Sequence, residues 1–268
     1  MRRNKSIVLL SAGHACVDVY QGAVAALVPF FVAERAYTYA AASGIVLAAG
    51  LLSSVAQPFF GALTDRHPVP WLLPASTILG GLGVALSGIG GSYPLTLLFM
   101  ALSGIGVAAY HPESARVARV ASKGSHSSIR WFSLGGNVGF SAAPLLVTAV
   151  IATGGLRLSP LLILPALAGS VLTLPVLRAL DRTPSADGGK EAAQGRDDWA
   201  SFVRLSPAVV CRSIVFVGMS TFVAFHAREQ TDGGTAAGTA ALFVLYLGGA
   251  VGTASAATWP TAGTGSRW

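Results

Sequence analysis

Long apolar stretches interrupted by short polar or glycine-rich breaks dominate this chain. Apolar windows close to membrane-spanning length run from Ser6 to Val32, Tyr39 to Leu63, Trp71 to Ile89, Pro94 to Ala115, Trp131 to Ala152, Ser159 to Leu177, Pro207 to Phe225 and Ala236 to Gly252. A helix rises 1.5 Å per residue, so about 20 residues cross a hydrocarbon core of roughly 30 Å. The pattern therefore predicts an all-α integral membrane protein of about eight spans. Breaks such as Gly90-Gly91-Ser92 and Thr153-Gly154-Gly155 are short, which makes successive helices antiparallel neighbours. One connection differs: Asp181 to Arg204 is long, polar and rich in Gly, Asp and Lys, and reads as a solvated linker. The expected organisation is a six-helix half over residues 1–180, a linker over 181–205, two further helices over 206–253 and an atypical tail over 254–268.

Composition agrees with lipid as the solvent. The residues are 53% hydrophobic and 11% charged, with a mean hydropathy of +0.62, whereas a soluble domain carries roughly a quarter of its residues as Asp, Glu, Lys or Arg. A water-facing surface cannot be built from that, so a soluble enzyme is excluded. Glycine and proline, at 32 and 14 residues, are tolerated in membrane helices because neighbouring helices re-satisfy freed backbone groups and small residues permit close packing. The net charge of +7 lies between apolar segments rather than on one patch, so no nucleic-acid partner is expected. Met1 to Lys5 before an apolar run has the look of a signal peptide, but the run continues to Val32 and is read as an uncleaved first helix. Cys16 and Cys211 sit in apolar stretches and act as small hydrophobes. No Walker loop, dinucleotide fingerprint or His/Cys ligand spacing occurs, so neither cofactor nor metal is expected.

Short-loop Lys and Arg give the orientation. A cytoplasmic N-terminus places Arg2, Arg3, Lys5, Arg66, Arg116, Arg119, Lys123, Arg130, Arg178 and the linker cations inside, and leaves Arg35, Arg157 and Arg228 outside. Trp71, Trp131 and Trp199 fall near the predicted inner interface and read as anchors.

Six helices, a long cytoplasmic linker and further helices resemble the major facilitator superfamily, whose two six-helix halves enclose a central path. Gly61-Ala62-Leu63-Thr64-Asp65-Arg66 resembles that superfamily's cytoplasmic loop motif, with His67-Pro68-Val69-Pro70 replacing its second Gly and basic pair. Four segments resemble the fosmidomycin resistance branch. They are Gly13-His14-Ala15-Cys16-Val17-Asp18-Val19-Tyr20-Gln21-Gly22, Gln57-Pro58 leading into Asp65-Arg66, Tyr110-His111-Pro112-Glu113, and Gly135-Gly136-Asn137-Val138-Gly139-Phe140. The resemblance implies proton-driven export of small drug-like molecules from a bacterial inner membrane, with lipid, substrate and protons as partners.

His14, Asp18 and Gln21 recur at i, i+4 and i+7 and share one helix face. Asp18 lies roughly 18 Å from Ser6, near the middle of the hydrocarbon. Ionisable groups at that depth are functional by default, so Asp18 is the leading proton-coupling candidate, a neutral hydrogen-bonded helix contact being the alternative. Glu113 and Arg116, at i and i+3, can pair. With His111, Asp65 and Arg66 they are read as a lock stabilising one transport state at the cytoplasmic end of the fourth helix, which Pro112 loosens. Asn137 among its glycines is a candidate for the substrate path, although tight packing serves equally well. Gln57 reads as helix glue, and Arg212 either snorkels to the interface or faces the path.

A complete superfamily member has about twelve helices, and the chain departs from the family after the eighth. Where a second loop motif is expected, it reads Ala254-Ser255-Ala256-Ala257-Thr258-Trp259-Pro260. Read one base out of frame from Thr258, permitted codons spell Leu-Ala-Asp-Arg, the missing motif. A frameshifted, truncated transporter is therefore expected, inactive unless copies self-associate or the chain pairs with another half. Two other classes compete. A membrane-embedded enzyme would use His14, Asp18, His111 and Glu113 as an acid–base or metal group, which requires one shared depth; Asp18 is expected mid-membrane and His111-Glu113 near the inner face. A non-transporting interaction subunit has no motif in its favour.

Overall fold

The computed structural model describes residues 5–123, 125–181 and 199–256. Most of the expected linker and the tail beyond Ala256, including the expected frameshift, lie outside the described residues. The helices are α1 (Lys5–Arg35), α2 (Tyr39–Arg66), α3 (Leu72–Ser87), α4 (Tyr93–Ser122), α5 (His126–Gly154), α6 (Leu164–Asp181), α7 (Trp199–Gln230) and α8 (Gly234–Ala256). A 3₁₀ stretch, Leu156–Ile163, leads directly into α6. There is no strand among the described residues.

Each apolar window is a helix, but several helices outrun their windows. The fourth continues past Ala115 to Ser122, the fifth begins at His126, and the seventh begins at Trp199 inside the expected linker. Hydropathy marks where hydrocarbon ends, whereas helical hydrogen bonding continues wherever Ala, Arg and Leu sustain it. α3 is the short one, with 16 residues, roughly 24 Å. The other seven spans, counting Leu156–Ala179 as one, are long and apolar enough to cross a membrane.

α1 is the central helix: 72% of its apolar window is buried, against 17% for α2 and 22% for α7. Small residues permit this. A Cβ on Gly135 would run into the Ser11 carbonyl and one on Gly139 into that of Ala15, so α5 lies against α1 backbone to backbone.

The face opposite the start of α1 is tied together by that helix's last residues. Arg35 donates to the carbonyls of Gly88 and Gly90 and to Thr96 Oγ1, the last two at 2.6 and 2.8 Å. Glu34 accepts the Leu156 N–H at 3.1 and 3.0 Å through its two oxygens. Gly155, whose φ of 77° is the left-handed region, makes this turn, and a Cβ there would meet Glu34 Oε2 at 2.8 Å.

α7 and α8 join the bundle chiefly at this same face. Tyr39 donates to Glu229 at 3.3 Å, Thr148 and Thr239 share a hydrogen bond of 2.7 Å, and Phe225 packs with Val28 and Ala42. The buried residues of α7 are Ser220, Thr221, Ala224 and Phe225, all in its second half. Its first half stands away from α1, and a cavity opens between them.

Candidate functional site

The polar face of α1 meets α4 deep in the bundle. Asp18 is buried, with His14 Nε2 3.3 Å from its Oδ2 and His111 Nε2 3.3 Å from its Oδ1. Backbone carbonyls orient both rings: His14 Nδ1 lies 3.0 Å from Phe132 O, and His111 Nδ1 2.8 Å from Val107 O. A carbonyl only accepts, so both Nδ1 atoms carry hydrogen and both Nε2 atoms are turned to the carboxylate. Phe132 stacks on the His14 ring at 4.3 Å, and Tyr110 stands 5.9 Å from it. Gly136 leaves the room, since a Cβ there would strike His14 and Asp18.

This overturns the expected separation in depth of Asp18 and His111. Asp18 lies roughly 20 Å along α1 from Lys5, and His111 roughly 17 Å from the end of α4 at Ser122. The helices run in opposite directions, so the two meet. Ending the fourth helix at Ala115 had placed His111 one turn from the interface.

The five residues expected to form a lock are likewise not brought together. Glu113, fully buried, is bound bidentately by Arg116, with Nε donating to Oε2 at 2.9 Å and the terminal nitrogen to Oε1. Asp65 and Arg66 are exposed and join no ion pair among the described residues. His111 has left this group for Asp18, because Pro112 and Glu113 point around α4 at 100° per residue.

Above the trio lies a cavity of about 530 Å³. Tyr20 and Gln21 of α1, Ser53, Ser54 and Gln57 of α2, Ser103 and Val107 of α4, and Arg212, Ser213 and Ser220 of α7 line it, with Phe140, Phe216 and Tyr246 as an aromatic side. Gln21 thus faces the cavity and not its helix partners His14 and Asp18. Asn137 is not among the lining residues; its amide donates to Ser133 O at 3.2 Å within α5. Arg212, expected either to snorkel to the interface or to face the path, lines this cavity. Phe132 and Val107 enter the site through carbonyls, which no sequence pattern announces. The serines did leave a signal, since Ser53, Ser54 and Gln57 form one polar patch at helical spacing on an otherwise apolar α2.

His14, Asp18 and His111 are also a set of donors close enough, within 4.8 Å of one another, to consider for a metal ion. Their arrangement is pairwise, however: each ring approaches a different carboxylate oxygen. Shared protons bridge such pairs, whereas a metal gathers its donors around one centre at about 2.0–2.2 Å.

The profile of the Major Facilitator Superfamily matches residues 10–266. The chain is similar to the fosmidomycin resistance protein of Escherichia coli (strain K12), 39% identical over 147 residues, and to the uncharacterized MFS-type transporter YfnC of Bacillus subtilis (strain 168), 29% identical over 148. Each match covers 54% of this chain and 36% of the relative, so the chain spans about a third of the length of these relatives.

Proposed function

The chain belongs to the Major Facilitator Superfamily of membrane transporters, and we propose that it works as a proton-coupled exporter of small drug-like molecules, of the fosmidomycin resistance type. The observation that carries the reading is Asp18, a buried carboxylate at mid-membrane depth, 3.3 Å from each of two histidines. An ionisable cluster there is costly to maintain and has use in loading and releasing protons.

In this reading the cavity between α1, α2, α4 and α7 is the substrate path. Its hydroxyls and amides suit a small polar molecule, and Arg212 suits an anionic group on it. A bacterial inner membrane with the N-terminus in the cytoplasm is supported by the cations at the ends of α2, α4 and α6. The contacts of α7 and α8 then gather at the outer face, through Tyr39–Glu229 and Thr148–Thr239, and the cavity faces the cytoplasm. Alternating access would break these contacts and close α7 onto α1 at the inner face.

His14, Asp18 and His111 at one depth remove the geometric objection to an intramembrane acid–base enzyme. Glu113, its fourth member, stays apart, bound to Arg116, and the family speaks for transport.

The test is fosmidomycin transport in vesicles containing the chain, with and without an imposed proton gradient. Gradient-driven transport that is lost in Asp18→Asn supports the reading; full transport by that variant would remove it.

A further inference from the structure

We propose that His111 is the group through which protons enter and leave the site, while the His14–Asp18 contact keeps a resident proton throughout. This rests on the proton-coupled reading above, but the assignment itself comes from hydrogen-bond geometry.

Both rings have their Nδ1 hydrogens committed to main-chain carbonyls, Phe132 O at 3.0 Å and Val107 O at 2.8 Å. In a neutral ring the other nitrogen is then a bare acceptor. Each bare Nε2 faces one oxygen of Asp18 at 3.3 Å. With Asp18 ionised and no further proton, the buried site would hold two acceptor-to-acceptor contacts and a net charge of −1. His14 Nε2 and Asp18 Oδ1 indeed have no hydrogen-bond partner, and leaving buried polar atoms so is unfavourable. One added proton makes the cluster neutral and satisfies one contact. A second satisfies the other and brings the charge to +1. The cluster therefore has two proton positions, one at each histidine.

The two positions differ in access. The side chains of His14 and Asp18 are 10% and 11% exposed, and that of His111 is 27% exposed. His14 is covered by the Phe132 ring and by Gly136. His111 is anchored to Val107, which lines the cavity. A proton from water at the exposed part of the ring reaches Nε2 of His111, making an imidazolium that donates to Asp18 Oδ1, and returns by the same route. No other bond changes.

The other ionisable groups around the cluster are few. On α1 there are Cys16 and Tyr20, whose hydroxyl donates to Leu162 O; on α4 there are Tyr110, whose ring lies 6.1 Å from that of His111, and Glu113, already paired with Arg116. α5 presents Phe132 and Gly136, with Arg130 a half-turn beyond, and α3 carries no ionisable side chain. α6 has Arg178 toward its far end, α2 has exposed Asp65 and Arg66, and Arg212 of α7 lines the cavity.

The experiment is nuclear magnetic resonance of the full chain in lipid with ¹⁵N-labelled histidine rings, followed across pH. His14 is recognised without substitution by its contact with a labelled Phe132 ring, and His111 by the signal lost in His111→Gln. The expected result is that Nδ1 stays protonated in both rings, the Nε2 signal of His111 moves from its bare to its protonated position, and that of His14 does not move. Movement of the His14 signal with His111 still, or of neither, overturns the assignment. Asp18→Asn transport separates this from the broader reading. If that variant loses gradient-driven transport while His14 is the ring that titrates, only the assignment fails. If it keeps transport while His111 alone titrates, the coupling reading fails and the assignment stands.

Discussion

His111 on α4 and Asp18 on α1 meet at 3.3 Å through Nε2 and Oδ1, joining two helices far apart in sequence at one buried point. The contact has a measurable energetic signature. Truncating one partner leaves the other's polar atoms buried without a counterpart, at about 1–3 kcal/mol, whereas removing both orphans only His14 Nε2, which the Asp18 change orphans by itself. His111→Ala is therefore expected to lower thermal stability in detergent by several degrees. The pair His111→Ala with Asp18→Ala should cost less than the sum of the single changes. Additivity would show that the two side chains are not energetically coupled.

Gly139 and Gly248 form a matched pair of positions for testing how α1 and α5 pack. A Cβ on Gly139 overlaps the Ala15 carbonyl, while Gly248 has nothing within 4 Å. Gly139→Ala must push two backbones apart and should destabilise by about 1–3 kcal/mol. Gly248→Ala should be neutral or slightly stabilising, since Ala is the better helix former. Equal melting temperatures for both variants would contradict the close approach.

Glu34 holds a single backbone amide, that of Leu156, with both of its oxygens. Glu34→Ala should release that N–H. Hydrogen exchange over the 155–158 turn is then expected to accelerate by roughly tenfold, corresponding to about 1.4 kcal/mol of lost local protection. Exchange at the middle of α5 should be unaffected; unchanged exchange at Leu156 would show that the carboxylate does not hold the turn.

Arg212 is the cation among the residues lining the cavity. If it receives an anionic group of the substrate, Arg212→Ala should raise the half-saturation concentration by at least about tenfold, or about 1.4 kcal/mol. Arg212→Lys should recover part of the loss, because charge survives while the planar fork does not. Concentration curves in vesicles with fosmidomycin decide it, and curves that superimpose would take Arg212 out of substrate binding.

Much of the architecture was legible in the chain itself. Eight apolar windows became eight helices, and the motif segments around Asp18, His111 and Gly136 all converge on one site. The spacing of His14 and Asp18 was enough to pair them, because i and i+4 meet on any α-helix. Glu113 and Arg116 follow from the same rule. Their contacts are local, and local geometry is repeated in every helix.

What the residues alone determined was therefore lipid as the solvent, the number and place of the helices, and pairs within one helix. Hydropathy and helical periodicity act over a few turns and need no knowledge of neighbours. Only the tertiary structure decided that His111 belongs to Asp18 rather than to a lock with Asp65 and Arg66, that Gln21 faces a cavity while Asn137 does not, and that Arg212 lines that same cavity. Each depends on how far one helix slides and turns against another. Backbone contacts such as Gly135 on Ser11 and Gly139 on Ala15 set that register, and so do carbonyls such as Phe132 O and Val107 O, which every residue possesses and no sequence pattern distinguishes.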